Sequence, residues 1–392
     1  MYKKIFMVAL LCTGLSVSEA QNIEKVLADI ERNNPVLRAQ QTLVAARRAE
    51  VRSENTLENP EAELIRSWAR HSPDKVLEIN VTQGFDFPSA YTARRRAARI
   101  KEQQWGHEYN AARQSLLLDG KKLCLDIIAL RQERRLLALR TDHAARLLDA
   151  LALACEKGEA TVLDKNRAET EWIDVRTALD LKTVELRTAE ERLAGLNGGE
   201  PVQFPDTLFP AQEPLPPLEA MMREYAARAP ELAALLCEQQ AAEADLRVSR
   251  SEALPGFKVG YHFEKSADEK LNGLIAGISI PLWSGRRRIK SSKAQIDYAR
   301  SSMESCRADM ETLLRERYAR YEILLPAVER LRVVARRQEE MRRYIADAYR
   351  MGSLNEDEYL TELGALYAVE EQLIAAEHEL HTVIAKIDAL NL

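Results

Sequence analysis

The chain has 392 residues, of which 46% are hydrophobic and 30% are charged, with a net charge of −5. A composition rich in Ala, Leu, Glu and Arg is typical of long helices and excludes collagen-like and fully disordered chains. The mild acidity argues against a nucleic-acid-binding protein, which would carry a strongly basic surface.

The first 20 residues predict a signal peptide for export. Lys3 and Lys4 give a basic start, an apolar stretch follows, and Ser18 and Ala20 place small residues before a cleavage site. The apolar stretch is too short to cross about 30 Å of hydrocarbon, which disfavours a membrane anchor. We therefore expect an exported mature chain that begins at Gln21.

The rest of the sequence contains an internal repeat. Pro35 corresponds to Pro230, and Gly158 corresponds to Gly352, at a nearly constant separation of about 194 residues. Each half is predicted to contain a helix, two strands, and a hairpin of two long helices. Six prolines between residues 198 and 217 predict a connector between the halves, because proline interrupts helices.

The predicted boundaries follow from this repeat. The first helix of each half is expected to be continuous, over Asn22–Thr56 and Leu218–Leu254. The remaining predictions are a first repeat at 21–197, with strands at about 60–87 and a helical hairpin at about 89–197, and a second repeat at 218–392, with strands at about 255–282 and a hairpin at about 285–391.

The predicted strands alternate between apolar and polar residues. Ile79 and Val81 flank Asn80 in the first half, and Val259 and Tyr261 flank Gly260 in the second. This period of two gives each strand one apolar and one polar face. The returning strand of the second half is expected to run to Leu282, and turns are expected near 71–74 and 266–271.

The long helices carry apolar residues at a seven-residue spacing, which predicts coiled-coil packing. The three series are Leu123, Leu130, Leu137, Ala144 and Leu151; Trp172, Leu179, Leu186 and Leu193; and Tyr359, Leu366, Leu373, Leu380 and Ile387. A helix from Ser89 to Lys157 would be about 100 Å long, so we expect an elongated molecule.

The strand count has a consequence for assembly. Very long helices flank each predicted hairpin and leave no second layer to cover its apolar face. A membrane barrel would use such a face, but it needs at least eight strands and no free edge. One chain supplies four strands, so closure of a barrel would require several copies.

The duplicated order, the Pro-rich connector and the turn from Tyr349 to Gly352 resemble the TolC-type outer-membrane efflux channels. The resemblance implies a mainly α fold with a small β part, forming a homotrimer with an α-helical barrel in the periplasm and a shared twelve-stranded transmembrane β-barrel. It further implies a passive channel, without enzymatic activity or a cofactor. Such a channel lies in outer-membrane lipid and docks with a periplasmic adaptor and an inner-membrane efflux pump.

The resemblance also implies a gate at the tips of the two helical hairpins. Its residues would be Gly158, Asp164, Tyr349, Gly352 and Glu358, with three copies of each acid facing a narrow pore. Helix capping is an alternative role for both acids, because a carboxylate is favourable near the start of a helix. Glycine after a helix is likewise expected from its access to the left-handed conformation.

The sequence leaves the cargo and the exact constricting ring open. The family archetype has a further acid in the second tip, and Thr361 stands at that position here, with Glu362 beside it. Metal ions, drugs and other small molecules all remain candidates for the exported compound.

Two arginine triplets stand where a returning strand meets a long helix. They are Arg94, Arg95 and Arg96 in the first half and Arg286, Arg287 and Arg288 in the second. Positive charge is unfavourable at a helix start, so helix stability does not explain them. We expect them to anchor the protein at lipid headgroups together with Trp283. A solvated basic surface is the alternative.

Other candidate chemistry is sparse. His378 and His381 stand three residues apart on a predicted helix, and without an accompanying metal motif an exposed helix face is expected there. No phosphate loop or nucleophile motif is present, and no metal site is predicted. The remaining cysteines are expected to be unpaired: Cys124, Cys155, Cys237 and Cys306.

Two other classes of protein compete with the channel. A secreted coiled-coil structural or adhesive protein explains the signal peptide and the heptads, but not two strand pairs at equivalent positions. A periplasmic adaptor also contains a helical hairpin, but it encloses one hairpin within β-rich domains, whereas this sequence predicts two.

Overall fold

A computed structural model describes residues 20–68, 75–212, 214–266, 269–281 and 283–392. The predicted signal peptide before Ala20, the predicted turn at 71–74 and Leu282 lie outside this range. Helices dominate the described chain and accompany one small antiparallel sheet, which confirms the mainly α prediction with a small β part.

The chain order of the elements is as follows. The helices are α1 (Ala20–Asn33), α2 (Pro35–Ser53), α3 (Pro88–Glu156), α4 (Val162–Leu196), α5 (Leu218–Arg228), α6 (Pro230–Ser251), α7 (Ser284–Ala335), α8 (Gln338–Arg350) and α9 (Glu356–Ile387). The strands are β1 (Glu61–Trp68), β2 (Lys75–Phe85), β3 (Gly256–Lys265) and β4 (Lys270–Ser279). Among the residues described, no helix combines the length and the apolar character that a membrane crossing requires.

The described residues form two compact units. The first unit comprises the residues up to Pro35, Arg113–Met221 and Leu313–Leu392. The second unit comprises Val36–Ala112 and Met222–Thr312. The tips of both helical hairpins belong to the first unit, and the sheet belongs to the second.

The continuous first helix predicted for each half is wrong. In the first half, α1 ends at Asn33 and α2 begins at Pro35; in the second half, α5 ends at Arg228 and α6 begins at Pro230. Proline disfavours helical geometry in the residue before it and is well suited to the first position of a new helix. Both halves therefore contain the same break at corresponding positions.

The second helical hairpin also contains a break that the sequence analysis missed. Helix α7 continues through Pro326 and ends at Ala335, and α8 begins at Gln338. Between them, the N–H of Arg337 donates to the carbonyl of Val334, only three residues earlier, at 3.0 Å. This tighter turn interrupts the α-helical pattern.

The core of the first unit includes parts of the predicted heptad series. Leu193, Leu380 and Ile387 are fully buried. In the middle of α3, Cys124, Ile127 and Ile128 are completely buried, whereas the predicted Leu123 and Leu130 are only half-buried. Burial rather than strict spacing therefore identifies the packed face of α3.

The connector packs against the helices of the first unit through buried aromatic residues. Phe204 and Phe209 are both at least nine-tenths buried. Arg131 donates to the carbonyl of Phe204 at 2.5 Å and stacks over its ring, with 5.6 Å between the guanidinium carbon and the ring centroid. These contacts hold the connector against the helices. Its proline content predicts only that the connector is not helical.

The sheet has the order β1-β2-β3-β4, with every neighbouring pair antiparallel. Directly opposite residues share a face, so Val81, Tyr261 and Leu274 lie together in one row across β2, β3 and β4. The next row on the other face contains Thr82 and Gly260. A Cβ atom at Gly260 would lie 2.5 Å from the carbonyl oxygen of Val81, so the close pairing requires glycine.

The predicted alternation is confirmed, and its apolar face is exposed to an unusual degree. Leu274 is 90% exposed, Leu64 68% and Ile278 67%. The opposite face carries polar side chains, including Asn80, whose Oδ1 lies 2.6 Å from Nδ1 of His262. Large apolar side chains on one face of a sheet require a partner other than water.

Candidate functional site

Each predicted tip is the turn that follows a long helix, α3 in the first hairpin and α8 in the second. Gly158 and Gly352 have φ values of 75° and 72°, in the left-handed region that favours glycine. The N–H of Glu159 donates to Ala154, and that of Ser353 donates to Ala348, five residues earlier in each case. Each glycine therefore terminates its helix in a Schellman motif.

The predicted acids form the start of the following helices. Thr161 caps α4, donating its N–H to Oδ2 of Asp164 at 3.0 Å, and the N–H of Asp164 returns a bond to the threonine hydroxyl at 3.2 Å. Asn355 and Glu358 make the same exchange at the start of α9, at 2.8 and 2.9 Å. Both acids thus belong to reciprocal capping boxes.

The first unit brings the two tips together, although they are far apart in the sequence. Arg167 of α4 forms an ion pair with Asp357 of α9 at 2.6 Å. Tyr349 stacks on Tyr359, with ring centroids 4.5 Å apart. The ion pair therefore joins the two tips, whereas the aromatic stack holds α8 against α9 within the second tip.

Glu356 is a tip residue that sequence reasoning missed. Burial raises the pKa of Glu356, and the charges of Asp164 and Asp357 raise it further. Burial raises the pKa of Tyr349 as well, with Glu356 contributing in the same direction. In contrast, the hydrogen bonds from Thr161 lower the pKa of Asp164. The surroundings therefore shift the pKa values of Glu356 and Asp164 in opposite directions.

A second layer of polar groups lies next to the tips. His143 Nδ1 lies 2.5 Å from the hydroxyl of Tyr367, and Arg140 stacks over the same ring at 5.1 Å. Arg140 also pairs with Glu171 and Glu371, at 3.3 and 2.9 Å. These residues join α3, α4 and α9 beside a cavity of about 170 Å³.

The arginine triplets belong to the second unit, and two of their members form ion pairs. Arg94 contacts Asp86 and Glu252, each at 2.7 Å, and Arg288 contacts the same Glu252. Trp283 is 83% exposed. The remaining members are exposed: Arg95, Arg96, Arg286 and Arg287.

The prediction of an exposed histidine pair is wrong for His381. Its side chain is buried and stacks on Phe209, with ring centroids 5.0 Å apart. Burial lowers the pKa of His381 to about 4, and Arg332 and His378 contribute in the same direction. His378 instead lies 2.6 Å from Asp126. Phe209 of the connector covers His381, and no local sequence pattern around His381 indicates this contact.

The chemistry available in the described residues is that of packing, charge and hydrogen bonding. Over the described ranges, no cluster of three His, Cys, Asp or Glu side chains is arranged to hold a metal ion. The four cysteines described are free, and burial raises the pKa of the Cys124 thiol to about 12. This thiol is therefore inert as a nucleophile.

Comparison with solved structures identifies the fold. A membrane protein from Pseudomonas aeruginosa superposes with a TM-score of 0.79 at 17% identity, covering 94% of this chain and 93% of the other. The Campylobacter jejuni CmeC outer membrane channel gives 0.78 at 13% identity, covering 94% and 85%. This chain has the fold of the outer-membrane channels. The predicted resemblance is confirmed at the level of fold.

The outer-membrane channel fold also matches the open state of the Neisseria gonorrhoeae MtrE channel, with a TM-score of 0.72 at 16% identity and coverage of 94% and 88%. No protein-family model matches the sequence, and neither does any curated protein. The likeness to these solved structures is therefore one of fold, at sequence identities of 13–17%.

Proposed function

We propose that this protein is a TolC-type outer-membrane channel of a tripartite efflux system. It would conduct small molecules or metal ions passively from the periplasm to the exterior after docking with a periplasmic adaptor and an inner-membrane pump. The outer-membrane channel fold supports this role, since the structural neighbours are channels rather than enzymes. Energy for transport would come from the pump.

The exposed apolar face of the sheet is the observation that carries the proposal. Leu64, Tyr261 and Leu274 lie on this face and are largely exposed, as lipid-facing side chains of a barrel wall would be. Within the described sheet, β1 and β4 each pair on one side only. Three copies that join β1 to β4 would close a shared twelve-stranded barrel and leave no free edge.

The tips are proposed as the periplasmic gate of this homotrimer. Gly158 and Gly352 follow the ends of α3 and α8, and Asp164 and Glu358 would place carboxylates around the pore. The ion pair of Arg167 with Asp357 links the two tips of one chain and supports a closed arrangement that adaptor binding would open. The two predicted repeats, 21–197 and 218–392, would each supply one helical hairpin to this gate.

The arginine triplets and Trp283 are proposed to hold the start of the helices at lipid headgroups. Replacing all six arginines with glutamine should reduce retention in the outer membrane, because basic groups are attracted to anionic headgroups. Retention is measured by fractionation of isolated membranes. A six-fold glutamine variant that stays in the membrane as well as the natural protein would contradict the anchor.

The first test of the channel is the native mass of the protein extracted with detergent from isolated outer membranes. We expect a homotrimer, and single-channel recording of that trimer should then show conductance. A soluble monomer or dimer that is absent from the outer-membrane fraction would overturn the proposal. That result would favour the secreted coiled-coil structural protein instead.

A further inference from the structure

The second unit contains a groove whose charged residues are all basic. The groove has a volume of about 510 Å³ and lies between the first turns of α3 and the last turns of α6. Three exposed guanidinium groups line it, from Arg96, Arg247 and Arg250. No carboxylate contributes to its walls.

The same two helices present the opposite charge in a separate groove. Residues two apart on a helix point about 200° from each other, so Arg94 and Arg96 lie on nearly opposite faces of α3. The groove on the Arg94 face contains more acids than bases. Its charged residues are Glu54, Glu58, Asp86, Asp245 and Glu252 together with Arg94 and Lys101.

The positive charges of the basic groove are not neutralised by ion pairs within the described chain. In the part of the chain that the structure describes, Arg96, Arg247 and Arg250 form no ion pair, whereas Arg94 nearby forms two. Three like charges in one groove repel each other and raise its affinity for an anion.

A second observation points to an oxygen-rich ligand. Ser89 is one of the lining residues, and its hydroxyl oxygen is buried and has no hydrogen-bond partner among the described residues. Ser251 adds a further hydroxyl group, whereas the Thr92 hydroxyl already donates to the carbonyl of Ser89 at 2.9 Å. Guanidinium forks and hydroxyl donors together match the geometry of a phosphate group.

We propose that this groove binds the phosphate of an anionic membrane lipid. The assignment to a lipid rests on the proposed function, in which the sheet lies in the membrane. Arg96 is eight residues into α3, so the groove extends only about 12 Å along the helix from its start beside β2. That level corresponds to the headgroups when the strands span the hydrocarbon. Arg96 is then the triplet member that recognises lipid directly, while Arg94 maintains the ion pairs.

The test uses the full-length mature protein in a nonionic detergent. Phosphatidylglycerol is titrated into the micelles, and the lipid bound per chain is measured by native mass spectrometry. Replacing Arg96, Arg247 and Arg250 together with glutamine should weaken binding by about a hundredfold, and Arg250→Gln alone by about fivefold. The matched control replaces three exposed, unpaired basic residues of the same unit with glutamine, and its affinity should stay within about threefold of the natural protein's. These control residues are Arg48, Lys293 and Arg300.

A triple variant that binds phosphatidylglycerol as tightly as the natural protein would overturn the site. A control variant that loses as much affinity would also overturn it, because that loss would indicate general surface charge. Inorganic phosphate at the same concentration should not displace the lipid; displacement would identify free phosphate as the ligand. Native mass and conductance of the same sample report separately on the channel, so a conducting trimer that ignores phosphatidylglycerol contradicts this inference alone.

Discussion

Single glycines fix both hairpin tips, and their conformation predicts the effect of substitution. A Cβ atom at Gly158 or Gly352 would meet nothing within 4 Å, so any penalty arises from the backbone. Alanine at either position should lower the free energy of unfolding by about 1 kcal/mol, because the left-handed region is unfavourable for a residue with a Cβ. The urea midpoint of unfolding measures this loss.

Gly364→Ala provides the control for these substitutions. Gly364 also has open space around it, but it lies inside α9 and its φ is not positive. Alanine there should raise the free energy of unfolding by up to about 1 kcal/mol. Equal effects at the tips and at Gly364 would contradict the left-handed constraint.

His381 makes the stability of the protein dependent on pH. The pKa of His381 is about 4 in the folded protein, and its ordinary value is 6.5. Between these two pH values the unfolded chain binds a proton at His381 and the folded protein does not. Stability is therefore complete above about pH 6.5 and falls as the pH decreases towards 4, with a cost of about 2 kcal/mol near pH 4.5. His381→Gln should reduce this dependence, as measured by urea midpoints at several pH values.

His378→Gln is the matched control for that experiment. His378 lies on the same helix and is only half-buried beside Asp126. The His378 variant should keep most of the loss of stability at low pH, because burial, the largest cause of the lowered His381 pKa, is unchanged. An unchanged pH dependence in the His381 variant would show that other groups carry it.

At the scale of the element, capping and pore charge make separable predictions for Asp164 and Glu358. Asp164→Asn and Glu358→Gln keep a side-chain oxygen that can accept the capping hydrogen bond, whereas alanine removes it. Only the alanine variants should lower the urea midpoint. If three copies of each acid line the pore, both kinds of variant should reduce cation selectivity in single-channel recordings.

Asp174→Asn serves as the control for charge, because Asp174 is an exposed acid further along α4. It should leave selectivity unchanged. If the Asp164 and Glu358 variants keep the cation selectivity of the natural protein, the role of these acids is helix capping alone.

Some helix boundaries coincide with a local glycine or proline signal, and one does not. The ends of α3 and α8 fall beside the predicted glycines, because a left-handed residue is a strong local signal. The breaks before Pro35 and Pro230 also have a local signal, the proline itself, although apolar periodicity on both sides favours one helix. The break between α7 and α8 carries no proline or glycine, and only the structure reveals it.

At the scale of the whole molecule, the two faces of the sheet predict opposite tolerance of charge. Leu274 lies on the exposed apolar face and Ile275 on the other face, opposite Gly260. Leu274→Lys should reduce the amount of trimer in the outer membrane, because lysine facing lipid near the bilayer centre costs about 2 to 4 kcal/mol. Ile275→Lys, at nearly the same depth, should be tolerated.

Quantitative fractionation of outer membranes compares the two variants. Equal loss of trimer in both would indicate that the sheet has no lipid-facing side. Equal tolerance would remove the observation on which the channel proposal rests. A selective loss for Leu274→Lys would support it directly.

The sequence by itself determined the mainly α class, the alternation of the strands and the glycines at the tips, because these depend on local periodicity and backbone conformation. Tertiary structure decided which distant residues meet. Arg167 reaches Asp357, Phe209 buries His381, and Arg96 joins Arg247 and Arg250 in one groove. These contacts join segments far apart in the chain, and their energy depends on burial and charge that no local pattern records.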